Sequence, residues 1–307
     1  MDMTASFDIV ALGEAMVEFN QIRPGEPQYL QGFGGDTSNA AIAAARAGAR
    51  TAYLTRLGQD TFGDALMALW QREGVDSSDV ERDEAAATGI YFVTHGANGH
   101  DFGYRRAGSA ASFMTPQWLP RKAVRAARIL HVSGISLAIS PSARDTVFAA
   151  IDQARSAGTL VSFDSNLRLK LWSLHDARAA ITRAASLCDL FLPSVEDALA
   201  LSGHSDAQAI VDWGHSLGAP QVVLKLGREG ALASDGARRE RIAGHAVPMA
   251  DATGAGDCFC GNLLARRALG DTIFDAARYA NAAAAIAVQG FGAVAPLPRP
   301  EQVRALL

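Results

Sequence analysis

The feature that most constrains this chain is a regular alternation of two kinds of segment. Apolar, β-rich runs ("FDIVALG", "TAYLTRLG", "ARILHVSG", "TLVSFDSN", "LFLPS" and "QVVLKLG") recur with helical stretches between them, among them "TSNAAIAAARAG", "FGDALMALWQREG", "ARDTVFAAIDQARSAG" and "DARAAITRAASLC". Several of the runs are unbroken rather than alternately apolar and polar, as strands covered on both faces are. Gly48, Gly74 and Gly158 close helical stretches, where a residue that tolerates the left-handed conformation ends a helix with least strain. The alternation predicts an α/β fold with a doubly wound, mostly parallel sheet flanked by helices. With 307 residues, 49% of them hydrophobic, and no long Pro/Ser-rich linker, the chain reads as a single domain over 1–307.

Two stretches depart from the pattern and read as β-pieces inserted at about 14–35 and 88–112, able to build a small lid over the binding edge of the sheet. In "TGIYFVTHGANGHDFGYRR" two strand-like runs flank Asn98–Gly99, a dipeptide suited to a hairpin tip. Exposed lid strands favour pairing between subunits, so a homo-oligomer is expected. A net charge of −4 and a pI near 6.0 supply no field for nucleic acid or an anionic membrane surface. No apolar run approaches the ~20 residues needed to cross a bilayer. The first residues lack the basic flank of a signal peptide, and a soluble, cytoplasmic protein is expected. Cys188, Cys258 and Cys260 show neither a paired framework nor zinc spacing, which fits buried thiols. The short basic run Arg238–Arg239 with Arg241, broken by Glu240, reads as a solvated loop.

The segment "DATGAGDCFCGNLL", residues 251–264, carries the chemistry. Small residues at Gly254, Ala255 and Gly256 let successive amides turn inward at the start of a helix, an anion-binding concavity. Asp257 follows at once. An acid in a first helical turn often does no more than complement the helix dipole. The functional reading is phosphoryl transfer, with the amides stabilising the moving phosphoryl group and Asp257 accepting the proton of the acceptor hydroxyl. The helix N-terminus should depress the pKa of Asp257, which a late proton transfer tolerates. No G-x-x-x-x-G-K-[ST] is present, so a P-loop enzyme is not expected. A dehydrogenase is set aside because "ALGEAMVEF" stands where a G-x-G-x-x-G turn would follow the first strand.

Three motifs in order resemble the ribokinase-like (PfkB-type) carbohydrate kinases: "GGDTSNAAIAAARAG", "VSFDSNLR" with Asp164, Asn166 and Arg168, and "DATGAGDCFCG". The resemblance covers nearly the whole chain. It implies a Rossmann-like domain with a β-lid, ATP as phosphoryl donor, Mg2+, and a monovalent cation in some members. It assigns the base to Asp257 and the anion hole to Gly254, Ala255 and Gly256. "LKLGREGA" resembles the family's nucleotide-side turn, which puts Lys225, Gly227 and Gly230 near ATP, with Asn166, Ser194 and Asn281 also on the cofactor side. Where the family carries N-x-x-E, this chain has Ser194 and Asp197 in "PSVED", which keeps a charge with one methylene less reach.

For the acceptor, strand period places Tyr104 and Arg106 on one lid face and Arg105 on the other. A guanidinium suits a carboxylate, whereas a neutral sugar does not require one. "GGDTSNAA", "TGIYFV" and "YRRAGSAAS" are most similar to the 2-keto-3-deoxygluconate kinases of that family, although Ala107 stands where relatives often carry lysine. The resemblance implies acceptor contacts from Gly35, Asp36, Asn39, Tyr91, Tyr104, Arg106, Arg168 and Asp257. The expected reaction is ATP-dependent phosphorylation of the terminal hydroxyl of that sugar acid. Other kinases on the same scaffold, for fructose, ribose or a related keto acid, are the alternatives, followed by a non-catalytic sugar-binding protein.

Overall fold

Nine strands form the central sheet of the computed structural model, which describes residues 5–96 and 99–307. In spatial order they are Arg239–Ala243, Gly230–Ser234, Gln221–Lys225, Leu190–Leu192, Leu160–Asp164, Ala127–Ser133, Phe7–Leu12, Thr51–Leu54 and Val75–Asp76. All neighbours from Gln221–Lys225 to Val75–Asp76 are parallel, and the two strands at the other edge are antiparallel. The unbroken apolar runs explain the burial. Val10, Leu12, Leu130, Val132 and Phe163 pack beneath helices Pro141–Ala157, Leu174–Leu187 and Ala207–Ser216. Ile9, Ile129 and Val223 meet Asp36–Arg46, Ala255–Ala268 and Ile273–Ala287 on the opposite face.

Helix ends follow the expected signals. Ser140 accepts the amide of Ala143, Pro141 occupies the first turn, and Gly158 closes that helix at φ +77°. Asp60 and Gly74 do the same for Thr61–Glu73. From the central strand Phe7–Leu12 the chain winds first toward Thr51–Leu54 and then returns to build Ala127–Ser133 on the other side. That reversal leaves a crevice outside the carboxyl ends of the strands, where doubly wound folds bind ligands.

A four-stranded sheet covers this edge, in the order Tyr29–Gly34, Met16–Gln21, Ile90–Gly96 and Gly99–Arg105. Its pairings are antiparallel except for the parallel contact of Met16–Gln21 with Ile90–Gly96. Of the expected tip, Asn98 lies outside the described residues. Two local readings change. "TAYLTRLG" breaks at Thr55, and Arg56–Gly58 pairs with Glu81–Asp83 in a separate two-stranded sheet. Of the basic run, Arg238 lies in the loop as expected, while Arg239 and Arg241 belong to the sheet's edge strand, paired to Asp212 and Glu229. Charge on an edge strand discourages another chain from pairing with it. Among the described residues no helix is long and apolar enough to cross a membrane.

Candidate active site

A cavity of about 830 Å³ opens between the strand ends and the lid, and every candidate residue taken from the sequence lines it. On its floor the chain enters helix Ala255–Ala268 through Gly254, at φ +73°. A side chain at 254 would stand 2.9 Å from the Cβ of Ala293, so glycine answers both the backbone twist and the close approach. The Ala255 amide closes a turn on the Ala252 carbonyl at 3.2 Å, and Cys258 already bonds back to Gly254 at 2.8 Å. The amides of Gly256 and Asp257 have no acceptor among the described hydrogen bonds. The Gly254 amide likewise has no acceptor among the described hydrogen bonds, so of the expected donors only Ala255 is used, to bend the chain into the helix, and the Asp257 amide joins Gly254 and Gly256.

Asp257 owes its position to helix packing. Gly261, one turn further on, lies so near helix Asp36–Arg46 that a Cβ would stand 2.2 Å from the Ala40 carbonyl oxygen. This contact brings Asn39 to Asp257, with Nδ2 donating to Oδ2 at 2.8 Å. Burial, then the nearby Asp36 and Asp164 carboxylates, push the Asp257 pKa up to about 7 against the opposing Asn39 hydrogen bond. The expected depression by the helix N-terminus is overturned, since desolvation and like charge outweigh the dipole here.

Asp164, at the end of its strand, is gripped by Lys225, whose Nζ lies 2.7 Å from both carboxylate oxygens. Burial opposes the Lys225 charge, but Asp164 more than compensates and holds its pKa above the ordinary value. The Cys260 thiol donates to Asp164 Oδ2 at 3.2 Å. Asn166 adopts φ +27°, the one positive value at a non-glycine among the described residues, and its side chain donates to Asp36 at 3.0 Å. The Asp164–Asn166 turn thus joins the Lys225 end of the cavity to the Asp36 end. Ser194 caps the helix Val195–Ser202, accepting the Asp197 amide at 3.1 Å, and Asn281 donates to the Ala243 carbonyl at 2.8 Å. "LKLGREGA" is a hairpin turn, with Gly227 at φ +57° and Gly230 at φ +98°, and both glycines line the cavity.

The lid closes the other end. Tyr91 donates its hydroxyl to Glu18 at 2.6 Å and packs on Gly34, where a Cβ would fall 2.3 Å from that oxygen. Tyr104 packs beside it with the rings tilted by 32° and their centroids 5.8 Å apart, and Arg105 points outward as the strand period required. Arg106 faces the cavity but forms an ion pair with the fully buried Glu14. Arg168 is exposed on the cavity wall, donates to the Leu167 carbonyl at 2.8 Å, and forms no ion pair among the described residues.

The comparisons with known proteins fit this arrangement. The model of the pfkB family carbohydrate kinases matches residues 6–300. The chain belongs to the PfkB family of carbohydrate kinases. It is 32% identical to Fructokinase-2 of Solanum habrochaites, with 97% of this chain and 95% of that one covered. It is likewise 32% identical to the 2-dehydro-3-deoxygluconokinase of Bacillus subtilis (strain 168), with 98% and 95% covered. Among solved structures, a fructokinase from Vibrio cholerae O395 in a fructose-, ADP- and calcium-bound form aligns over 100% of both chains, with 31% identity and a TM-score of 0.87.

Within this PfkB kinase the residues that sequence reasoning passed over are Glu14, Glu18 and the thiol of Cys260. The signal for the first two was present: "ALGEAMVEF" puts two acids inside an apolar strand run, where a charge needs a partner. All three cysteines are free and buried. For a divalent cation, the described residues contain no cluster of three ligating side chains. Asp197, whose Oδ2 accepts from Ser165 and from the Leu167 amide, and Glu196 are the carboxylates on the cavity wall near Ser194. This set fits Mg2+ held mainly by phosphates and water rather than by a protein cage.

Proposed function

We propose that this PfkB kinase transfers the γ-phosphoryl group of ATP to the terminal hydroxyl of 2-keto-3-deoxygluconate, giving the 6-phosphate. The observation that carries phosphoryl transfer is the conjunction at the helix start: amides at Gly254, Gly256 and Asp257 without an acceptor among the described hydrogen bonds, beside a carboxylate whose pKa is raised to about 7. A base poised near the working pH takes the hydroxyl proton as the new bond to phosphorus forms. Asn39 holds that carboxylate in place, and the amides receive the charge of the moving group. On the nucleotide side, Lys225, Gly227, Gly230, Ser194 and Asn281 line the phosphate and base path, with Asn166 at its junction with the acceptor end. Mg2+, carried in on the phosphates near Asp197 and Glu196, would neutralise their charge. A monovalent cation is a further candidate for the Asp251 loop, where that side chain already gathers the amides of Thr253 and Gly292.

The acid-sugar assignment rests on Arg168. A guanidinium in the cavity wall that forms no ion pair among the described residues, and feels the Asp36 carboxylate only at longer range, is matched to a carboxylate on the acceptor, while Gly35, Asp36, Tyr91, Tyr104 and Arg106 line the space for its carbonyl and hydroxyl groups. Fructose is the second reading. It is favoured by the ion pair of Arg106 with Glu14, which removes one cation otherwise available to an acid.

An acceptor panel coupled to ADP release decides between them, with 2-keto-3-deoxygluconate, its galactonate epimer, fructose and ribose as substrates. The acid should give the highest kcat/KM. Arg168→Leu should raise its KM at least tenfold, on the order of one lost charge-assisted contact, and leave the KM for ATP within twofold. A wild-type preference for fructose would refute the acid assignment.

A further inference from the structure

Four chain crossings join the lid to the body, and all four converge on Glu14. Glu14 itself begins the first, leading into strand Met16–Gln21. At the second, Gly35 lies so close that a Cβ would stand 2.4 Å from the Glu14 carbonyl oxygen. At the third, a Cβ on Gly89 would stand 2.7 Å from the Glu14 carboxylate. At the fourth, Arg106 pairs with that carboxylate and the Ser109 hydroxyl donates to it. The side chain is completely buried, and Arg106 is 9% exposed on the cavity wall. The third and fourth crossings also hold each other, through the Ala110 amide and the Ala87 carbonyl at 2.9 Å.

A fully buried carboxylate at the root of a lid is costly unless it has a task, since an apolar residue would pack there without a charge to desolvate. We propose that Glu14 is a positioning and specificity-determining residue. It fixes Arg106 at the acceptor end and cancels most of that residue's charge, and so sets how strongly the site favours an anionic over a neutral sugar. The inference rests on the reading of this cavity end as the acceptor site, but not on which sugar is preferred. Arg106 then offers hydrogen bonds in a fixed direction, and Arg168 supplies the net positive charge. Because the Glu14 backbone meets the first two crossings and its carboxylate the other two, the geometry of the lid and the charge of the acceptor site are joined at one residue.

The test measures a ratio, so that general damage cancels. Inhibition constants for gluconate and for sorbitol, against whichever sugar the enzyme phosphorylates, give an anion-to-neutral selectivity defined for every outcome of the acceptor panel. Glu14→Gln uncovers the Arg106 charge and should raise the selectivity for gluconate roughly tenfold, with the KM for ATP little changed. In the double variant E14Q/R106L the charge is gone again, and selectivity should return to within about threefold of the parent. If E14Q lowers affinity for both inhibitors by the same factor, Glu14 is only structural and the proposal fails. It fails equally if the double variant keeps the selectivity of E14Q, because Glu14 would not then act through Arg106. Should E14Q not fold, R106L carries the test with the opposite sign. Selectivity should drop when Glu14 is left uncovered and recover on adding E14Q, and no recovery overturns the proposal. Failure of the acid-sugar reading would appear in the wild-type panel alone.

Discussion

Gly261→Ala tests whether helix packing positions the base. The added methyl would stand 2.2 Å from the Ala40 carbonyl oxygen and 2.7 Å from the Ala43 Cβ, where real contacts begin near 3.0 Å. Neither obstacle is a flexible side-chain end, so helices Asp36–Arg46 and Ala255–Ala268 must part by about 0.8 Å. Asn39 is carried by one of these helices and Asp257 by the other, one turn before the glycine. Their 2.8 Å hydrogen bond would stretch to about 3.6 Å, beyond the reach of a hydrogen bond. Misplacing a reacting group by ~1 Å costs ~10²-fold in rate, and overpacking costs ~1–3 kcal/mol, partly offset by alanine's better helix propensity. The expected result is a kcat lower by one to two orders of magnitude with a Tm only a few degrees down, read from coupled ADP release and a thermal melt. A kcat within threefold of the parent, together with a lowered Tm, would show that the packing contact does not set the base. A variant melting above the parent would show that the helices separate without strain.

Two further outcomes follow from the charges. The Asp257 carboxylate must be ionised to accept a proton, so kcat/KM should rise with pH along a limb centred near 7, and Asp257→Asn should remove the limb and lower kcat by ~10²–10⁴-fold while the nucleotide still binds. A limb near pH 4 would mean that desolvation and the neighbouring carboxylates do not act as described. Away from the site, the Arg46 guanidinium, 2.8 Å from Glu73, holds that carboxyl below the usual glutamate range against the effect of burial. A depressed folded pKa contributes stability above the unfolded value of about 4.5 that is lost as the pH falls through the folded one. Glu73→Gln should therefore melt lower than the parent at pH 7, by an amount on the order of 1–3 kcal/mol, and the gap should close in acid. A gap unchanged at low pH would refute the ionic account.

What the sequence made legible was whatever depends on local periodicity or on a motif read in order. The unbroken strands, the Gly74 and Gly158 helix stops and the glycine–acid loop all belong there, because each is decided by neighbours within about one helical turn. The misreadings have a common cause. The Asp257 pKa follows first from burial and then from Asp36 and Asp164, which lie far away in the chain, and both effects arise only when the helices pack. The Ala255 amide was counted as a free donor because the turn it closes is a feature of the folded loop. Arg239 and Arg241 read as loop residues in the sequence because the strand they pair with, Gly230–Ser234, and their partners Asp212 and Glu229 are supplied by other elements.

Arg106 shows most directly why substrate choice is the last property to be legible. Strand period placed it correctly on the inner face of the lid, and its type alone then suggested a carboxylate ligand. The partner it has in the folded chain is Glu14, 92 positions earlier, in a run whose apolar character marked it only as a strand. A guanidinium already paired with a buried carboxylate presents direction without net charge, which a polyol and an acid sugar can both use. Arg168, which forms no ion pair among the described residues, is therefore the arginine whose substitution tests the choice between the two acceptors. Similarity at 32% identity to both a fructokinase and a 2-dehydro-3-deoxygluconokinase leaves the acceptor to the substrate panel, in which Arg168→Leu should weaken an acid sugar and spare a neutral one.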